Sequence, residues 1–394
     1  MLATSCYIHI VNMGTDIAVS SSSVSRRSMP EKLTILFQAP NRVGLGHMNR
    51  LANIADRLHS FGEHVYTPFI VQGLTHSFLE SRGFDAIAIP AFSTRSKNSL
   101  WNSEDTARSF LLSLSELILA THKPDLVVFD SFPSLEFAEA TQQADIPMAI
   151  CIRRVKDFDR YAQDPRVAQV LHASKILIVP HSEDEFTLPE PFQRKTAYVG
   201  PIVRELPIDP QPMALPESTL AGKIVVITGG GGGHSSVLAF YNLALDAFRR
   251  LSEVESSLTC VLMAGPLFDQ WRHLRDIPGV YIRSFSSDSL DIFATANLVI
   301  TQAGYNTLAE LFYLATPSIC IPASRGFDDQ FARANSYAKT CDYIETYEGA
   351  SAAELAAKME TLLARSIPRS RPTPPSGALE AAVLLHNIAL AHRH

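Results

Sequence analysis

From Lys32 onward, short apolar and β-branched runs alternate with longer stretches of helical period. The runs "LTILFQA" (33–39), "HVYTPFIV" (64–71), "DAIAIP" (85–90), "DLVVFD" (125–130), "PMAICI" (147–152) and "KILIVP" (175–180) predict strands. Segments 46–61, 104–121 and 133–143 predict the helices between them. Strands separated by helices of this length are the signature of βαβ units and a parallel sheet. The alternation stops at 201–222, where prolines at 201, 207, 210, 212 and 216 oppose both helix and central strand and predict a linker. It restarts with "KIVVIT" (223–228), a helix to about 252, and strands at 258–265, 279–285, 297–301 and 317–322. Helices at 304–314, 328–340 and 351–365 fill the gaps, and an Ala/Leu-rich final helix covers 377–392.

Each half opens on the same plan: an apolar strand, a glycine loop, then a histidine at a helix start. The two instances are "ILFQAPNRVGLGHMNR" and "VVITGGGGGHSS". The pattern predicts two doubly wound, Rossmann-like α/β domains, 31–202 and 223–376, joined by a linker over 203–222 and followed by a terminal helix, 377–394. An interdomain cleft then faces the carboxyl ends of both sheets, where open α/β sheets bind ligands.

The length of 394 residues agrees with two domains. With 46% hydrophobic and 19% charged residues, the composition is that of a soluble globular protein. No run approaches the ~18–20 apolar residues of a membrane span. A net charge of −6 argues against nucleic-acid binding. The five cysteines (Cys6, Cys151, Cys260, Cys320, Cys341) show no metal-ligand spacing and read as reduced thiols of a cytoplasmic protein. Residues 1–30 read as a disordered extension, because Arg26 and Arg27 follow rather than precede the mildly apolar part and so do not make a signal peptide.

Glycines at 229–233 are costly in chain entropy and call for a reason. No Lys-Ser or Lys-Thr follows either glycine loop, so neither is a nucleotidase P-loop. The dinucleotide pattern GxGxxG fails too: its third glycine would fall on His234 or Ser235. What remains is a helix N-terminus that attracts an anion. Gly230, Gly231 and Gly232 would let it approach a diphosphate, with Ser235 and Ser236 adding hydroxyl donors.

The segment "ITQAGYNTLAELFYLATPSICIPASRGFDDQFARANSYA" (300–338) resembles the donor-binding segment of GT-B glycosyltransferases. The nearest group includes the lipid-linked N-acetylglucosaminyltransferase of peptidoglycan synthesis and related uncharacterised bacterial enzymes. "GLGHMNR" (44–50) and "VVFDSFP" (127–133) resemble N-terminal motifs of the same group. The resemblance covers 32–392 and is strongest across 223–340. It implies an acceptor-binding first domain and a second domain that holds a nucleotide sugar, the co-substrate, with no cofactor.

Residue by residue, the resemblance implies that Glu310, closing "AGYNTLAE", accepts bonds from both ribose hydroxyls. Gly304 through Thr307 form a helix start under the diphosphate, where Asn306 caps the helix or contacts an oxygen. Ser286 lies near uracil through its backbone. Asp329 and Gln330 read donor-sugar hydroxyls, although the family pattern of Asp-x-Gln or Glu-Gln leaves that register open by one residue. In the first domain, His47, after Gly46 in the "GLGH" loop, is suited to deprotonate an acceptor hydroxyl or to brace a phosphate. Asp130, ending its strand, is the other candidate base, an acceptor anchor, or a cap for the helix after Pro133. Arg153 and Arg154 reach the same edge and could neutralise an anionic acceptor or the leaving diphosphate. The Asp-x-Asp of "KDFDR" (Asp157, Asp159) is taken as an accidental match, and no essential metal is expected.

The activity implied is inverting, metal-independent transfer of a hexose or N-acetylhexosamine from a nucleotide diphosphate sugar, UDP-linked, to a hydroxyl. The acceptor stays open between a lipid-linked saccharide, a cell-wall precursor and a small natural product. In the lipid-linked case the protein would sit peripherally at the inner membrane face. A UDP-sugar 2-epimerase of the same fold and a non-catalytic nucleotide-sugar-binding protein are the alternatives.

Overall fold

The computed structural model describes residues 32–41, 44–62, 64–73, 76–90, 103–211, 222–284, 288–365 and 370–393. The extension over 1–30 and prolines 212 and 216 of the linker lie outside the described residues. Two parallel sheets organise the rest, each with helices on both faces.

In the first lobe, β1 (Leu33–Asn41) lies between β3 (Phe69–Gly73) and β5 (Leu126–Asp130), and the sheet runs β4-β3-β1-β5-β6-β7-β8. Here β4 is Ala86–Ile89, β6 Met148–Cys151, β7 Ile176–Val179 and β8 Thr196–Tyr198. The run 64–71, expected as one strand, is split into β2 (Val65–Tyr66) and β3. Pro68 explains the break: it has no N–H for the ladder, but its carbonyl still accepts from Phe37 N at 2.9 Å. In the second lobe the order is β11-β10-β9-β12-β13-β14, from β9 (Lys223–Thr228), β10 (Leu258–Met263), β11 (Val280–Arg283), β12 (Leu298–Thr301), β13 (Ser318–Cys320) and β14 (Ile344–Thr346). Every pairing in both sheets is parallel.

These orders fix where a ligand can go. In the first sheet the winding reverses between β1 and β5, and in the second between β9 and β12. The loops after those four strands therefore open into crevices at the switch points. Those loops carry Gly44–His47, Asp130–Phe132, Gly229–His234 and Gln302–Gly304.

The last helix, Gly377–Arg393, returns to the first lobe. Its Ala378, Ala381, Ala382, Leu385 and Ala389 share one core with Leu33, Ile35 and Leu51. The crossing is tight: a Cβ on Gly377 would sit 2.6–2.8 Å from the carbonyl oxygens of Val199, Gly200 and Pro201. Small residues on the inner face let the helix lie close to the sheet.

Candidate active site

The two glycine loops meet. A Cβ on Gly231 would lie 2.9 Å from Gly44 Cα and from Leu45 N, both backbone atoms that cannot swing aside. Gly232 has φ +79°, a left-handed conformation that a side chain would strain. The density of glycine follows from this: the second lobe's loop is pressed against the first lobe at the mouth of the cleft. Between the loops lies a cavity of about 620 Å³.

The first wall is built by α1 (Gly46–His59). His47 Nδ1 lies 2.6 Å from Asp130 Oδ1. One turn on, Arg50 donates from Nε to Asp130 Oδ2 at 2.8 Å and from Nη2 to Oδ1 at 2.6 Å. Asp130 and Arg50 are buried, whereas His47 remains 22% exposed in its side chain and lines the cavity. Burial by itself would raise the Asp130 pKa, but Arg50 and then His47 outweigh it and hold the carboxyl well below the usual carboxylate range. For Arg50 burial opposes the charge and Asp130 overrides it, raising the guanidinium pKa. Asp130 is therefore ionised and can only accept, so the proton between the pair sits on His47 Nδ1. Nε2 lies on the side of the ring away from Asp130 and carries a lone pair whenever the imidazole is neutral.

This placement changes the reading of Asp130. As a base it is blocked, since both oxygens are bonded and buried. As a helix cap it is displaced, because Ser134 caps the following helix, Leu135–Gln143, accepting from Phe137 N. Its place is behind His47.

The opposite wall comes from the helix Tyr305–Leu314. Glu310 is 3% exposed and lines the cavity. Its Oε1 accepts from Arg204 Nε at 3.1 Å and from Asn49 Nδ2 of α1 at 3.5 Å. Asn306 Nδ2 donates to Gly46 O at 3.0 Å, so this side chain ties the lobes together rather than capping its helix. The Tyr305 hydroxyl donates to Pro180 O at 2.5 Å, and the Arg50 and Arg333 guanidinium groups each lie 5.6 Å from its ring centroid.

Residues 224–369 match the glycosyltransferase family 28 C-terminal domain. A stretch of 154 residues is 32% identical to the UDP-N-acetylglucosamine–N-acetylmuramyl-(pentapeptide) pyrophosphoryl-undecaprenol N-acetylglucosamine transferase of Oceanobacillus iheyensis, covering 37% of this chain and 41% of that protein. The alignment thus spans about two fifths of the relative's length. Among solved structures, a putative UDP-N-acetylglucosamine 2-epimerase from Listeria monocytogenes superposes with TM-score 0.63 at 12% identity, covering 92% of this chain and 97% of the other. MurG of Acinetobacter baumannii superposes with TM-score 0.54 at 15% identity, covering 90% and 99%. The chain has the GT-B fold, which such transferases and epimerases share.

Several expected contacts fall elsewhere. Asp329 accepts from Ala332 N at 3.1 Å and caps the helix Gln330–Thr340, while buried Gln330 accepts from Ala323 N at 2.9 Å through Oε1. Neither lines the cavity, and Asp328 does. The correction is one residue of register: Asp329 and Gln330 shape the loop that Asp328 ends. Ser235 is exposed and off the cavity, with His234 lining it instead. Gly230, Gly231, Gly232, Gly304, Thr307, Gly46 and Arg153 line it, whereas Ser286 lies outside the described residues. Asp157 accepts from Arg160 N at 2.9 Å as a helix cap, and neither it nor Asp159 is a lining residue.

Arg153 is committed to the other lobe. Its Nη1 donates to Asp328 Oδ1 at 2.5 Å, and Arg333 donates to the same oxygen. Burial would raise the Asp328 pKa, but Arg153 and Arg333 hold it well below the usual range. Next to it, Phe327 packs on Phe132 at 5.5 Å between centroids, and Lys156 N donates to Phe327 O at 3.0 Å. Sequence reasoning missed Arg50, Asn49, Arg204 and Asp328. Arg50 carried a signal, being three residues after His47 and so on the same helix face; Arg204, alone among prolines, carried none.

Proposed function

We propose that the protein is an inverting glycosyltransferase that moves a hexose or N-acetylhexosamine from a UDP-linked sugar to an acceptor hydroxyl without an essential metal. The observation that carries this is the His47–Asp130–Arg50 arrangement: a cavity-lining imidazole whose Nδ1 is held at 2.6 Å by a buried, arginine-bound carboxylate. Nε2 takes the acceptor's proton as its oxygen attacks the anomeric carbon. The carboxylate steadies the imidazolium that forms.

Direct displacement with inversion is favoured over a retaining double displacement, which needs a free nucleophile. The carboxylates lining the cavity, among the described residues, are Glu310 and Asp328, and each is held by arginine. The same fact disfavours the epimerase, which needs paired free carboxylates around one sugar. The donor assignment rests on the family 28 match and on the uridine diphosphate donor in the relative's name. By the same name, a saccharide on a lipid pyrophosphate is the first acceptor to test. No described helix is long and apolar enough to cross a membrane, so such an acceptor would be met from the membrane face.

Incubation with UDP-N-acetylglucosamine and a soluble lipid-pyrophosphate saccharide should release UDP and add one sugar residue to the acceptor by mass. A C2-inverted sugar formed from donor alone would replace this reading with the epimerase.

Glu310 is proposed to take the ribose diol, with Arg204 steadying its carboxylate. Charge-assisted bonds of this kind are worth roughly 1.5–3 kcal/mol. Glu310→Gln should therefore weaken uridine and UDP alike by roughly 10–100-fold in calorimetry, measured on protein whose fold is retained by circular dichroism. Unchanged affinity would remove Glu310 from the nucleoside site.

A further inference from the structure

Two cleft residues have no part in the scheme so far, and both belong to the glycine-loop side. Arg325 lines the cavity on the loop between β13 and the helix Gln330–Thr340. Its Nη2 donates to Gln302 Oε1 at 2.9 Å, while Nη1 is buried with no hydrogen-bond partner among the described residues. A guanidinium nitrogen withheld from water and left unbonded is costly, and an anionic oxygen is its natural complement. Gln302 also donates from Nε2 to Ser236 Oγ at 3.4 Å, so one amide ties Arg325 to the turn where the glycine loop becomes the helix Val237–Ser252.

His234 stands at that turn and lines the same cavity. Its Nδ1 accepts from the backbone N–H of Ser236 at 3.2 Å. A backbone amide can only donate, so Nδ1 is unprotonated and the ring proton is on Nε2. Burial lowers the pKa of His234 and the charge of Arg325 lowers it further, which keeps the imidazole neutral. The result is a neutral Nε2–H donor beside a cation, at a loop whose glycines line the cavity.

We infer that His234 and Arg325 form a clamp for the diphosphate of the donor, closing on it from the two sides of the glycine loop. The clamp rests on the donor class proposed above and adds the groups that take up the leaving charge. As the anomeric carbon–oxygen bond breaks, its electron pair departs on the diphosphate oxygen. The acceptor oxygen makes the new bond, and its proton goes to His47 Nε2. The Arg325 guanidinium and His234 Nε2 donate to the diphosphate oxygens on which the negative charge grows.

The test uses calorimetric titration of the full chain with uridine, UDP and inorganic pyrophosphate, comparing wild type with Arg325→Gln, Arg325→Lys and His234→Phe. Loss of a charge-assisted bond predicts that Arg325→Gln weakens UDP and pyrophosphate by roughly 10–100-fold and leaves uridine unchanged. Arg325→Lys should recover part of that loss, and His234→Phe should fall the same way by less. Arg325→Gln binding UDP and pyrophosphate as wild type does would overturn the clamp, as would an equal loss on uridine. A wild type that takes pyrophosphate but no uridine compound would sink the donor assignment and leave the clamp standing.

Discussion

Replacing His47 with alanine is expected to lower kcat by ~10²–10⁴, the range for loss of a general base, with the donor's KM little changed. The split is the informative part. His47 stands on the first-lobe wall and reaches the buried Asp130, whereas Glu310 and the glycine loop stand on the second. Removing the imidazole should leave the nucleotide's contacts in place. Asp130→Asn should also slow the reaction, because an amide can offer its N–H to Nδ1 and let the ring proton move to Nε2, the tautomer that cannot accept. Turnover by His47→Ala at the wild-type rate, with UDP release and sugar addition both followed, would move the base elsewhere.

How much of this was legible in the sequence varies with range of interaction. The two α/β lobes, the strand runs and the glycine loops are written in local periodicity, and the parallel order follows from it. That His47 and Glu310 stand at the cleft was legible because their motifs are short and contiguous. The division of labour between His47 and Asp130 was not: it depends on Arg50 and Asp130, 80 positions apart, meeting beneath the imidazole. The contact between Gly231 and Gly44 was hidden for the same reason, since no local pattern reports how closely two lobes approach. The slip from Asp328 to Asp329 arose differently. Both are aspartates in one loop, and only the cap geometry, with Ala332 N bonded to Asp329, decides which of them turns outward into the cleft. The split of the strand at Pro68 could have been foreseen, as proline interrupts a central ladder.

The second large effect expected is on stability, at Arg50. Its side chain is among the largest buried in the protein, at 1% exposure, and its bidentate bonds are the main compensation for the equally buried Asp130. Arg50→Met keeps the bulk but strands the carboxylate with His47 alone, and breaking a buried pair from one side costs about 3–5 kcal/mol. Against a usual total of about 5–15 kcal/mol, the loss should show as a clear fall in the urea midpoint. Arg50→Lys should rescue little, because an ammonium cannot make the two-pronged contact. Removing both charges in Arg50→Met/Asp130→Leu should recover much of the loss, since the cost lies in the unpaired ion rather than in the missing bond. The acid side gives an independent check. Because the folded Asp130 pKa is depressed, the stability it contributes is complete above the ordinary carboxylate pKa of about 4 and fades as pH falls below it. The gap between wild type and Arg50→Met should therefore narrow as the pH drops below about 4. A gap that stays constant on acidification would mean that the guanidinium stabilises the lobe by packing, and that the charge on Asp130 is held for His47 by something other than Arg50.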